Sequence, residues 1–220
     1  MIKIAPSILS ADFSCLEKEI SAVKKGGAQY LHIDVMDGIF VPNISIGPAV
    51  IESIRKKSNL VFDVHLMIDR PERYIEQFAC AGADIITVHT EATDDLPGCI
   101  EMIKDFGKKA GVSIKPSTKV SEIADIIPVL DMVLVMSVEP GFGGQGYLDC
   151  ADEKLRQVKK LAHSALDISV DGGVKLSNLE HVIEMGANTV VAGSAIFGAD
   201  NIEAQTKKFV KLANSAEARL

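Results

Sequence analysis

The chain has no C-x-x-C pair: Cys15, Cys80, Cys99 and Cys150 are widely spaced and fall mostly within helical patterns. That spacing fits reduced thiols in a cytoplasmic protein better than a disulfide framework. It also lacks a basic stripe. The net charge is −7 and the pI is near 5.3, and the lysines are scattered in short pairs such as Lys24-Lys25, Lys56-Lys57 and Lys207-Lys208. Neither nucleic acid nor an anionic membrane is therefore expected as a partner. No apolar run reaches the roughly 18 residues of a membrane span, because Pro128 and Asp131 break the longest candidate. The opening MIKIAPSILSAD, interrupted by Pro6 and Asp12, has no charged region followed by a long apolar run, so no targeting segment is expected. No Pro/Ser/Gly-rich linker divides the chain, and a single domain over 1–220 is expected.

What the chain does have is alternation. Strand-like apolar runs begin near Ile2, Gln29, Leu60, Asp84, Ala110, Met132, Asp167 and Asn188, separated by amphipathic stretches of helical spacing. Eight units of about 27 residues each hold one strand, one helix and two short loops. Ser14 with Glu17, Ser177 with Glu180 and Asp200 with Glu203 resemble capping boxes, and Gly26, Gly82 and Gly186 follow periodic runs as helix stops. Strands alternating with helices predict a parallel sheet, either doubly wound or closed. Eight successive units, with polar residues at alternate strand positions such as Thr87, His89 and Glu91 turned toward a central interior, favour an α/β fold of the (β/α)8 TIM-barrel type.

The stretch HIDVMDG, His32 to Gly38, organises the rest. Its period of two sends Tyr30, His32, Asp34 and Met36 to one face and Leu31, Ile33 and Val35 to the other. FDVHLM likewise puts Asp63, His65 and Met67 on one face, and ISVDGG does so for Ser169 and Asp171. A lone strand-end histidine is usually a satisfied polar residue, and a lone Asp before Gly a turn former. Four such groups at corresponding strand ends suit a divalent ion, which takes nitrogen and oxygen ligands at about 2.0–2.2 Å. His32, Asp34, His65 and Asp171 are the expected set.

Glycine-rich loops follow the last three strands: PGFGGQG at 140–146, DGG at 171–173 and AGS at 192–194. Glycine lets backbone N–H groups approach an anion closely, so an acidic protein can hold a phosphate without a basic cluster. PGFGGQG is longer than a turn requires and reads as a lid. Met36, Met67 and Met136 share the inward register. Singly each reads as filler, and together they form a candidate dry wall over a reacting carbon.

These motifs carry a resemblance. APSILSADF at 5–13, LHIDVMDGIFVPN at 31–43, FDVHLM at 62–67, MSVEPGFGGQ at 136–145, VDGG at 170–173 and AGSAIF at 192–197 are similar, in order and spacing, to the ribulose-phosphate 3-epimerase family. The resemblance implies a (β/α)8 barrel that interconverts D-ribulose 5-phosphate and D-xylulose 5-phosphate in the pentose phosphate pathway. It implies one divalent ion per subunit (Zn, Mn, Fe or Co) on His32, Asp34, His65 and Asp171, with Asp34 and Asp171 as the acid/base pair. Substrate contacts would come from Ser7, His65, Gly141, Phe142, Gly143, Gly144, Asp171, Gly172, Gly173, Gly193 and Ser194. Epimerisation beside a ketone needs one group to remove the C3 proton and another to return one on the opposite face, with an enediolate between them.

The chain departs from the commonest family pattern at Lys115-Pro116, where Asn-Pro is frequent, and at Glu139 and Ser169, where Asn and Glu are frequent. A Lys115–Glu139 pair across neighbouring strand ends is expected in place of an amide contact. Lys115 also motivates a rival, a Schiff-base lyase. A nearer rival is a 3-epimerase of a six-carbon ketose phosphate such as allulose 6-phosphate, and a third is a non-catalytic phosphosugar-binding module. The apolar helices make a homo-oligomer the expected assembly, without fixing its size.

Overall fold

The computed structural model of the chain describes residues 1–219, so the last residue of the expected 1–220 domain lies outside them. Eight parallel strands follow one another: β1 (Lys3–Pro6), β2 (Tyr30–Met36), β3 (Val61–Met67), β4 (Ile85–His89), β5 (Lys109–Ile114), β6 (Met132–Met136), β7 (Asp167–Asp171) and β8 (Thr189–Ala192). Each starts within one residue of the position expected from the apolar runs. They form one sheet in the order β1-β8-β7-β6-β5-β4-β3-β2. A parallel bridge between Ser7 and His32 spans the remaining seam. The fold is a single (β/α)8 barrel, and that seam already joins two residues of its mouth.

The helices are α1 (Leu16–Lys25), α2 (Pro48–Arg55), α3 (Ile75–Ala81), α4 (Leu96–Asp105), α5 (Cys150–Leu161), α6 (Leu179–Met185), α7 (Ser194–Phe197) and α8 (Ile202–Glu217). One unit departs from the expected alternation: β5 is followed by two 3-10 turns, Val120–Glu122 and Ile127–Val129, rather than an α-helix. Pro128 inside the second turn removes the backbone donor that a continuing helix would need.

The helix starts also differ from the expected capping boxes. Asp12, not Ser14, caps the turn that leads into α1 by accepting from the Ser14 N–H. Asn201, one residue beyond Asp200, accepts from the Ala204 N–H at 2.9 Å and caps α8. Asn178, not Ser177, precedes α6, and its side chain is turned back to accept from the Lys175 N–H. Of the three glycine stops, Gly82 and Gly186 end their helices at φ 113° and 126°, whereas Gly26 stays right-handed and Gly27 takes the positive φ. Asp12 and Asn201 win their positions because a short carboxylate or amide oxygen reaches the free N–H groups of a first turn.

Two separate apolar regions follow from the period-two strands. Leu31, Ile33 and Val35 belong to the large ring of core between strands and helices. Inside the barrel, Ala5, Tyr30, Ile85, Met132, Leu134 and Met136 pack together. Met36 and Met67 close that interior at the top with Val41. The polar face of β2 is therefore buried inside the barrel, and its side chains must find partners there.

Candidate active site

His32 and Asp34 on β2, His65 on β3 and Asp171 at the end of β7 converge at the C-terminal end of the barrel. One candidate ligand atom from each lies within 4.8 Å of all the others. His32 Nε2 and His65 Nδ1 each sit 3.2 Å from Asp34 Oδ1, and His32 Nε2 is 3.9 Å from Asp171 Oδ2. The register makes this unavoidable, since Asp34 is paired directly with His65 across β2 and β3.

The electrostatics are those of a site built for a cation. Burial works against the charge of His32, but Asp34 and Asp63 outweigh it and hold the imidazole well above its ordinary value. Burial likewise pushes Asp34 up, yet the His32 charge, the close His32 ring and a hydrogen bond with His65 leave it well below the carboxylate range. Asp171 goes the other way: burial, then the Asp34 charge, lift it to about 6. His32 Nε2 is fully buried, and among the described residues no acceptor, Asp34 Oδ1 at 3.2 Å included, meets it in hydrogen-bonding geometry. A buried ring nitrogen facing two carboxylates and a second imidazole is what a divalent ion requires, so the residues present fit one. These four residues form a single divalent-metal site.

Behind the ligands lies a buried polar layer. His32 Nδ1 meets Asp63 Oδ2 at 2.7 Å, and Thr87 Oγ1 donates to the other Asp63 oxygen. His65 Nε2 meets His89 Nε2 at 2.9 Å, and His89 Nδ1 meets Glu91 Oε2 at 3.0 Å. Burial and the hydrogen bond with His89 act oppositely on Glu91, and the carboxylate ends up held down to about 2. Burial keeps His89 neutral, down at about 4.

Asp34 and Asp171 both line a cleft of about 610 Å³ that is open to solvent. Ser7 donates to Asp34 Oδ2 at 2.5 Å. The structure places Ser7, Met36, Met67, Met136, Gly141 to Gly144, Gly172, Gly173, Gly193 and Ser194 on the walls of the same cleft. His65, also expected to touch substrate, is fully buried among the metal ligands and is absent from those walls. Gly172 and Gly173 are there for a reason that space alone gives: both have positive φ, and a Cβ on Gly172 would come within 2.6 Å of Val138. A Cβ on Gly173 would run into the backbone of Tyr147. The expected lid, 140–146, is braced at both sides, by Asn43 Nδ2 on the Gly141 carbonyl at 2.8 Å and by Gln145 Nε2 on the Glu139 and Phe142 carbonyls.

Sequence reasoning missed Ser137, whose N–H donates to the Asp171 carbonyl at 2.7 Å and whose hydroxyl, 2.7 Å from the Gly172 carbonyl, donates there, so that it pins the DGG turn. It missed Lys175, the one cation among the described residues that line the cleft. It placed His89 and Glu91 on the inner face but gave them no role. One expectation is overturned. Lys115 forms no ion pair with Glu139 among the described residues; its Nζ lies 3.9 Å over the Phe40 ring, and Glu139 is exposed. Phe40 reaches that position because Asp37 Oδ1 accepts the N–H groups of Ile39 and Phe40 and curls the loop after β2. Lys115 is also absent from the cleft walls, which leaves the Schiff-base rival without its nucleophile. Ser169 points into the barrel with its hydroxyl unpartnered among the described residues, so Asp171 receives no bond from it.

An eight-stranded barrel with a metal site of two histidines and two carboxylates at its C-terminal mouth, one carboxylate lifted and one depressed, defines a metal-dependent barrel enzyme. Residues 3–197 match the model of the ribulose-phosphate 3 epimerase family. A ribulose-phosphate 3-epimerase of Bacillus subtilis is 53% identical over 202 residues, covering 90% of this chain and 93% of the relative. One of Synechocystis is 50% identical over 205 residues, covering 91% and 89%. The chain belongs to the ribulose-phosphate 3-epimerase family. Among solved structures, a 3-hexulose-6-phosphate synthase of Salmonella typhimurium superposes with a TM-score of 0.76 over 98% of this chain and 100% of its own, at 20% identity, a likeness of fold alone.

Proposed function

We propose that Asp34 and Asp171 are the acid/base pair of a metal-dependent interconversion of D-ribulose 5-phosphate and D-xylulose 5-phosphate. The observation that carries this is geometric: Asp34 from β2 and Asp171 from the end of β7 stand on the walls of one cleft and belong to one cluster of metal-ligating groups. In one direction the Asp34 carboxylate takes the proton from C3, and the Asp171 carboxyl gives a proton to the opposite face of the enediolate. Asp34 then carries the proton and Asp171 the charge, so the reverse reaction starts from exchanged roles. A divalent ion on His32, Asp34, His65 and Asp171 supplies Lewis-acid stabilisation to the charge developing on the substrate oxygens around C3. With two imidazoles and two carboxylates as donors, the site accepts Zn, Mn, Fe or Co.

The remaining site residues have supporting roles in this reading. Ser7 orients Asp34 and contacts the substrate, and Met36, Met67 and Met136 form an apolar wall that keeps water from the enediolate. Backbone N–H groups of Gly172, Gly173, Gly193 and Ser194 take the phosphate, and Gly141 to Gly144 close over the sugar. The reading extends to a cytoplasmic homo-oligomer. All four cysteines are free, and Ile39 and Ile44 are each 76% exposed beside the mouth.

Proton NMR of ribulose 5-phosphate with the protein in D₂O tests the reaction. Deuterium at C3 appearing with xylulose 5-phosphate, lost on chelation and restored by a divalent ion, is the expected result. Cleavage products that persist without metal, or turnover confined to six-carbon ketose phosphates, would overturn it.

A further inference from the structure

The two histidine ligands are supported in different ways, and the difference assigns a role to residues that touch neither substrate nor metal. His32 turns Nε2 to the centre, and its Nδ1 lies 2.7 Å from the Asp63 carboxylate. One partner suffices to keep the proton on Nδ1 and the lone pair on Nε2. His65 is turned the other way round. Its Nδ1 faces Asp34 Oδ1 and the centre, while Nε2 points to β4 and meets another imidazole, His89, 2.9 Å away.

Between two ring nitrogens at that distance, one must donate and the other accept. This inference rests on the reading of His65 as a ligand, which requires a lone pair on Nδ1. The His65 proton is then on Nε2 and is donated to His89. His89 must accept on its own Nε2, which leaves its proton on Nδ1, 3.0 Å from Glu91 Oε2. A carboxylate can only accept, so the chain ends there. Glu91 is itself held: its Oε1 accepts the Lys115 N–H at 2.7 Å and the Thr118 hydroxyl. His89 has no solvent exposure, and the Phe40 ring packs 4.8 Å from it, so no water competes for its nitrogens.

We propose that His89 and Glu91 are positioning residues that lock His65 in the Nε2–H tautomer and thereby hold the Nδ1 lone pair toward the metal. The fold makes an intermediary necessary. Glu91 lies beyond the end of β4, in the turn Thr90–Ala92, and reaches His65 only through the ring of His89.

Long-range ¹⁵N–¹H correlation spectra of the protein titrated with Zn²⁺ test this directly, without any substitution. The expected pattern is His65 with its proton on Nε2 and an Nδ1 resonance that moves on zinc addition, and His89 with its proton on Nδ1. His89 protonated on Nε2, with His65 still responding to zinc, would overturn the proposal and leave the metal site standing. A His65 indifferent to zinc would instead remove the reading on which the proposal rests. Competition with a chromophoric chelator gives the second readout. His89→Phe is expected to weaken Zn²⁺ binding about 10–100-fold, with Glu91→Leu similar and Glu91→Gln milder, because an amide oxygen still accepts from Nδ1–H. Zinc affinity equal to wild type in folded His89→Phe protein would refute the assignment.

Discussion

The two sides of the barrel mouth are made from different parts of the chain. On the side of β2 and β3 the chemistry is carried by side chains, His32, Asp34 and His65, all buried and each braced by a partner in the barrel interior. On the side of β6 to β8 the proposed anion site is backbone, in loops whose glycines at 141, 144, 172 and 173 have positive φ. The contrast follows from charge. A cation needs ligand lone pairs at fixed distances, which rigid strands deliver. A doubly charged anion entering a protein of net charge −7 meets its most neutral hosts in N–H groups, which bind it without raising the cost of an empty site. One carboxyl of the proposed acid/base pair stands on each side, Asp34 among the histidines and Asp171 beside the glycines.

The largest expected effect comes from removing that pairing. Asp34→Asn and Asp171→Asn should each lower turnover by about 10³-fold or more, since each loses a proton carrier worth about 10²–10⁴ together with a metal ligand. NMR in D₂O separates the two, because a protein with one working base can still exchange a proton on its own face while net epimerisation stops. Near-normal epimerisation by either variant would break the two-base reading.

Metal removal sharpens the same comparison through pH. In the metal-free protein Asp171 is raised from 3.8 to about 6, so its ionisation opposes folding. That cost is absent below about pH 4, grows between 4 and 6, and is complete above 6. His32, raised above its ordinary value, adds stability that is fully present below pH ~6.5 and is lost as pH rises through its folded value. Asp34, lowered, adds stability that only strong acid removes. Two of the three therefore leave the empty site less stable at pH 8 than at pH 5, and a cation relieves both. Saturation at about 1,000 times Kd is worth roughly 4 kcal/mol, or about 8–16 °C in Tm for a chain of this size. At one fixed metal concentration the rise should be clearly larger at pH 8 than at pH 5, and equal rises would show that these groups do not face the ion.

On the backbone side, Gly173→Ala tests whether the turn is there to hold its shape. At φ 64°, with the Tyr147 backbone in the way, the substitution should cost about 1–3 kcal/mol and raise KM for the phosphorylated ketose more than it lowers kcat. Gly146→Ala, where a Cβ meets nothing within 4 Å, is the matched control. Equal effects at the two positions would mean that loop softness, and not the geometry of the DGG turn, governs binding.

How far the sequence revealed this differs between the two sides. His32, Asp34, His65 and Asp171 were legible because a period of two leaves no choice of face once Leu31, Ile33 and Val35 are assigned to the outer core. The glycine loops were legible because glycine clusters at strand ends are rare without a backbone reason. His89 and Glu91 were placed on the inner face, but a histidine and a carboxylate two residues apart look like ordinary alternation until the partner nitrogen of His65 is seen. The expected Lys115–Glu139 pair failed for a related reason. Strand-end neighbours in sequence register do not reveal that Phe40, brought in by Asp37 from another loop, occupies the space over Lys115. The shifted caps at Asp12 and Asn201 lie in short connections, where one Asx residue outweighs the helical period, and after β5 it is Pro128 that interrupts it.

The smallest expected effect falls on Lys175, which the glycine pattern concealed by making a cation look unnecessary. It is exposed at the rim, next to the turn that carries Gly172 and Gly173, and no carboxylate pairs with it among the described residues. If the phosphate is held by backbone amides, an exposed lysine adds only screened attraction, about 0.2–1 kcal/mol as for other surface charge pairs. Lys175→Ala should then raise KM by no more than about fivefold, with kcat close to wild type, and the difference should shrink as salt is raised from 0.05 to about 0.5 M. A loss much larger than that, insensitive to salt, would mean that the anion side also relies on a side chain held at fixed distance, and the contrast between the two halves of the mouth would be one of degree.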